Sequence, residues 1–178
     1  GVLITFSNDF AREFGIKEKI DPGKAIMYAY AAISIGDILI GLLSQYLRSR
    51  KKALFVFYGI TILFMIAFFT LLWDGTATRL YWVCAGLGFG TGFWAIFVTI
   101  AAEQFGTNIR STAANTIPNF VRGSVPIIML FFGLLTLNFS DGVSALMIGL
   151  FFITLAFYSI SRLKETYGKD LNYNETSE

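Results

Sequence analysis

Histidine is absent from this 178-residue chain, cysteine occurs once and proline three times. With no imidazole and a single thiol, Cys84, neither a Cys/His metal site nor a disulfide framework can be assembled. Cys84 lies inside an apolar run and reads as packing. Charge is scarce as well: 15% of the residues are Asp, Glu, Lys or Arg, where a soluble domain carries about a quarter. The net charge is +2, and the basic residues are divided among short segments, which leaves no open patch for nucleic acid. No acid/base pair, activated nucleophile or metal set stands together at the ends of the apolar runs, so neither an enzyme nor a cofactor is expected. The chain opens on Gly1 without the basic region, apolar core and small-residue cleavage site of a signal peptide, and is expected to begin inside a longer protein.

What is present is apolar. Such residues make up 55% of the chain, among them 19 Phe, 8 Tyr and 3 Trp, more aromatic surface than one soluble core of this size can hide. Lipid can cover it. A hydrocarbon core about 30 Å thick needs roughly 20 apolar residues in a helix, and five stretches have that length: 26–47, 53–73, 80–105, 112–137 and 143–163. The expected fold is an all-α integral membrane protein of antiparallel transmembrane helices, its short links marked by Asp21-Pro22-Gly23, Asp74-Gly75 and Ser140-Asp141-Gly142. Residues 1–8 are too short to span and read as the truncated end of another helix. Residues 9–25 mix both charge signs and read as a solvated outer loop rather than an outer gate. Residues 164–178 are polar and are expected to form a flexible tail.

Orientation follows from lysine and arginine. Alternating the links puts Arg48, Arg50, Lys51, Lys52, Arg110, Arg162, Lys164 and Lys169 on one side, and Arg12, Lys17, Lys19, Lys24 and Arg79 on the other. The richer side is expected to be cytoplasmic, which places the tail there and makes the cell membrane the expected location.

The spans differ in character. The span at 53–73 and, over residues 143–161, the last span carry no charge, are filled on all sides with Phe, Leu and Ile and are expected to face lipid. The span from residue 80 carries Gly86, Gly88, Gly90 and Gly92, two overlapping small-xxx-small pairs suited to close helix packing or hinging, and is expected to be central. With no strand before it, this run is not a phosphate loop. Tyr30, Ser34, Asp37, Gly41, Ser44 and Arg48 recur at helical spacing, as do Ser111, Asn115, Asn119 and Arg122, with Pro118 and Pro126 expected to kink the second stripe. Asp37 and Arg122 each stand ten residues from a tail-side helix end, about 15 Å deep. A charge at that depth costs at least about 2.5 kcal/mol. Two readings stay open: a structural ion pair or polar contact, or a transport role. In the latter, Asp37 takes up a proton, and Arg122, with Asn115 and Asn119, holds a carboxylate or phosphate of a small polar solute.

Two stretches resemble the major facilitator superfamily of transporters. Gly41-Leu-Leu-Ser-Gln45-Tyr46-Leu-Arg48-Ser-Arg50-Lys51-Lys52 is similar to its loop between the eighth and ninth helices, with Gln45, Tyr46 and Arg48-Ser49 departing from the aspartate, basic and glycine positions. Glu103-Gln-Phe105-Gly106-Thr107-Asn-Ile-Arg110 is similar to the signature joining the tenth and eleventh helices, Gly106 replacing proline. Asn119-Phe-Val-Arg122-Gly123 resembles the eleventh helix of sugar-porter-like and metabolite-proton symporter-like members. The resemblance implies a half of six helices, from the end of helix seven through helix twelve. It implies a separate N-terminal half as partner, and a secondary transporter working by alternating access, with symport, antiport and uniport all open. It also implies contact between Glu103 and the basic loop, as a cytoplasmic gate drawing on Arg48, Arg50 and Arg110. Each partly wet pair there is expected to contribute about 1 kcal/mol. From another class, a membrane sensor or assembly protein that kept the fold and lost transport stands as the alternative.

Overall fold

The structure is a computed structural model describing residues 2–73 and 75–172, among which every regular element is a helix. In order these are α1 (Val2–Thr5), α2 (Ser7–Glu13), α3 (Pro22–Tyr46), α4 (Arg50–Leu71), α5 (Ala77–Gly90), α6 (Trp94–Glu103), α7 (Arg110–Gly123), α8 (Val125–Thr136) and α9 (Asp141–Arg162). Five units are long and apolar enough to cross a membrane: α3, α4, α5 with α6, α7 with α8, and α9. The longest link between them is residues 104–109, which reaches at most about 21 Å at roughly 3.5 Å per residue. No such link can recross the bilayer, so successive spans run antiparallel.

Local chemistry sets the ends. Pro22 starts α3, earlier than the apolar run does, because Asp21 accepts from the Gly23 amide at 2.9 Å and proline suits a first turn. Ser49 accepts from the Lys52 amide at 3.1 Å, which brings the basic Arg50-Lys51-Lys52 into the first turn of α4.

Two of the expected spans are broken, the fourth beside the prolines expected to kink it. The third stops at Gly90 and resumes at Trp94, where Thr91 turns its hydroxyl back on the Leu87 and Gly88 carbonyls, each at 3.0 Å. The fourth passes through Pro118 and breaks at Ser124, two residues before Pro126. The missing amide of Pro126 and its restriction on the preceding residue act together there. The outer loop also departs from expectation, since α2 occupies part of it and Phe10, Phe14, Ile16 and Ile20 are buried. The charges around them conceal an apolar pair spaced four apart. Phe10 and Phe14 meet Phe68 edge-on at 5.6 and 5.7 Å, which makes this segment a plug and not a solvated cap.

Apolar clusters fill both ends of the bundle. Phe10, Phe14, Phe68, Leu72, Leu80 and Cys84 belong to one, and Ile40, Leu54, Phe57, Ile96, Ile100 and Ile160 to the other, nearer the tail. Between them the glycines of the third span divide their work. Gly88 and Gly92 face α3: a Cβ on Gly92 would stand 2.8 Å from the Gly36 Cα, and one on Gly88 would strike the Ala29 backbone. Gly86 and Gly90 face α4, against Phe64 and Thr61. The α5–α6 span is accordingly the most enclosed, 50% of its apolar window being buried. The α7–α8 span, at 6%, is more exposed than α4, at 22%, or α9, at 17%.

Candidate functional site

Breaking the third span frees the first amides of α6 partway along an apolar span, on an open face of the bundle, where each needs an acceptor. Phe93, at the N-cap position, offers no side-chain oxygen. Asp37 of α3 supplies one instead, its Oδ1 accepting from the Ala95 amide at 3.1 Å. The close approach of Gly36 and Gly92 brings α3 near enough for this reach, and the positive end of α6 favours a carboxylate there. From α7, Arg122 lays its guanidinium over the Trp94 ring, 5.2 Å from the centroid, a placement worth about 0.5–1 kcal/mol at an exposed site. The two intramembrane charges thus meet one turn of α6 and share its depth, but they do not pair. The ion pair found among the described residues is Arg50 with Glu103. Asn115 turns its amide back to the Ser111 carbonyl at 3.0 Å, and Asn119 is exposed on the same helix.

A second centre lies at the tail end. Glu103, 8% exposed, takes the Arg50 fork through both oxygens, Nη2 at 2.8 Å and Nε at 3.4 Å, and accepts from the Thr166 hydroxyl. Arg50 also donates to the buried Ser44 hydroxyl at 2.9 Å and lies 5.3 Å from the centroid of the Tyr167 ring. Glu165 accepts from the Ser49 hydroxyl and from the amides of Arg50 (2.9 Å) and Lys51 (3.4 Å), capping α4 from outside. Partial desolvation pushes the Glu165 carboxyl up. The hydrogen bonds from Ser49 and from the Arg50, Tyr167 and Lys51 amides outweigh that push and lower it from 4.5 to about 2.

The basic residues expected at this gate separate. Arg48 is exposed and takes the left-handed conformation (φ 48°) just past α3, the place where the resembled loop carries glycine. Arg110 clips the carbonyls of Ala102 and Phe105, each at 3.2 Å, and that of Leu171, instead of an acid. The tail, expected to be flexible from residue 164, is docked at least through Thr166, which is 3% exposed; residues 173–178 lie outside the described residues. Sequence reasoning passed over Glu165, Thr166, Tyr167 and Trp94. Ser49 ahead of a basic run did signal a helix start needing acceptors, but nothing in the chain marked Glu165 as the distant donor of charge to it. Compared with protein-family models, curated proteins and solved structures, the chain matches none.

Proposed function

We propose that this chain is the C-terminal six-helix half of a secondary transporter similar to the major facilitator superfamily, moving a small polar solute through the cell membrane by alternating access. The observation that carries the reading is the broken third span, whose α6 terminus is met on an open face of the bundle by Asp37 and, through Trp94, by Arg122. Irregular backbone at membrane depth is tolerated where it lines a cavity or is buried in protein, and transporters place their sites at such half-helix ends. The exposed faces of α3 and of α7–α8 then belong to the cavity and to the interface with an N-terminal half. The Arg50–Glu103 centre closes the cytoplasmic gate on the tail side.

Uptake by the full-length protein in vesicles tests this. Asp37→Asn keeps an oxygen for the Ala95 amide but cannot carry a charge, so proton-driven accumulation is expected to fail while exchange persists. Arg122→Gln is expected to weaken solute affinity. Normal accumulation and affinity in both variants would assign these residues to structure alone. The exposed Gln45 and Tyr46, at positions where the resembled loop has an acid and a base, favour the sensor or assembly alternative. An absence of uptake for any solute would support it.

A further inference from the structure

Two cavities adjoin at the tail end, and together they have the chemistry of an amphiphile. The first, about 430 Å³, lies between the ends of α6 and α9 and the docked tail, and Arg162, Lys164 and Lys169 line it with Gln104 and Thr166. Its one acid, Glu165, is committed elsewhere, held by the Ser49 hydroxyl and the first amides of α4. Lys164 has no partner among the described residues. The second cavity, about 290 Å³, is an apolar groove among α4, α6, α7 and α9, with Tyr58, Phe93, Phe97, Ile100 and Ala156 on its walls. Gln104 and Leu163 line both, so the groove adjoins the basic pocket. From Phe93 to Gln104 it runs about 16 Å at helical rise, close to half of the roughly 30 Å hydrocarbon core.

We infer that this pair of cavities is a binding site for an anionic phospholipid of the tail-side leaflet. The phosphate sits among Arg162, Lys164 and Lys169, and one acyl chain lies in the groove. Charge complementarity selects the headgroup, since basic pockets at helix ends attract acidic lipids. The groove's apolar walls, adjoining that pocket, select a lipid over a free anion. Neither Asp37 nor Arg122 lines either cavity, although the groove ends at Phe93, beside the α6 turn they meet, and binding there needs no transport activity.

The test is native mass spectrometry of the full-length protein in mild detergent, with dioleoylphosphatidylglycerol or dioleoylphosphatidylcholine added and inorganic phosphate as competitor. The anionic lipid is expected to be retained over the zwitterionic one, with inorganic phosphate leaving it in place. Lys164→Glu, an exposed change, is expected to lower that retention by about fivefold or more, from the roughly fivefold attraction per basic residue near an acidic headgroup. Ala156→Phe, which fills the groove, is expected to lower it as well. Equal retention of the two lipids, or wild-type retention in both variants, would overturn the site. Displacement by inorganic phosphate with Ala156→Phe unaffected would overturn the lipid in favour of a free anion. Should Ala156→Phe disturb folding, as seen by size exclusion, Lys164→Glu decides alone.

Discussion

A glycine's worth depends on what faces it. Gly88 is seated on the Ala29 backbone, which cannot give way, whereas Gly41, also within a helix, has nothing within 4 Å of the place where a Cβ would stand. Gly88→Ala is therefore expected to destabilise the chain by about 1–3 kcal/mol. Gly41→Ala is expected to stabilise it by about 0.5–1 kcal/mol through the unfolded state. Thermal unfolding in detergent measures both, and equal shifts would refute the packing argument. The Arg50–Glu103 pair asks for a similar distinction. With Glu103 so enclosed, the pair is drier than the sequence suggested, and Arg50→Met should cost about 3–5 kcal/mol by stranding a buried charge. Glu103→Gln keeps one carbonyl oxygen for Arg50 and turns an amide toward the Thr166 hydroxyl, which can accept as well as donate, so it is expected to alter the inward/outward ratio more than stability. An unchanged ratio with unchanged uptake would remove Glu103 from the gate.

At the scale of elements, one device recurs: a carboxylate from a distant segment caps a helix N-terminus. Glu165 serves α4, Asp37 serves α6, Glu18 accepts from the Ala77 amide of α5 at 2.7 Å, and Glu13 from the Gly142 amide of α9 at 2.8 Å. Each satisfies an orphan amide and the helix dipole together, and each ties two elements that sequence separates. For Glu165 a pH dependence follows. Its carboxyl in the folded chain lies below its ordinary value, so its contribution to docking is complete above pH 4.5 and is lost as pH falls toward about 2. Spin labels on Tyr46→Cys and Asp170→Cys, both exposed, with the buried Cys84 left unlabelled, should report the tail leaving in that window. Glu165→Gln should release it at neutral pH, and a label distance constant through the window would show that the other tail contacts suffice.

Over the whole molecule, burial is uneven. The α5–α6 span is packed by α3 and α4 along its glycines, while the α7–α8 span has little around it. Local opening is governed by such contacts, so amide exchange of the 178-residue chain in detergent is expected to be slowest in α5 and faster throughout α7 and α8. Adding the N-terminal half proposed above should slow α7 most. Equal rates in the two spans would mean that these contacts do not set their opening.

The number of spans, their approximate limits, the central place of the glycine-rich one and the common level of Asp37 and Arg122 were all legible in the chain. Each depends on a periodicity or a transfer energy that a single segment carries by itself. The break at Thr91, the plug made by Phe10 and Phe14, the choice of Arg50 over Arg48 for Glu103 and the capping by Glu165 were not. These depend on which atoms of remote segments come within about 3 Å of one another. Hydrophobic patterning has no term for such meetings, because it scores a residue against solvent and not against a particular amide sixty or a hundred positions away. Tertiary structure alone decided them, through the close approach that glycine permits between α3 and the third span and through the return of the tail to the start of α4.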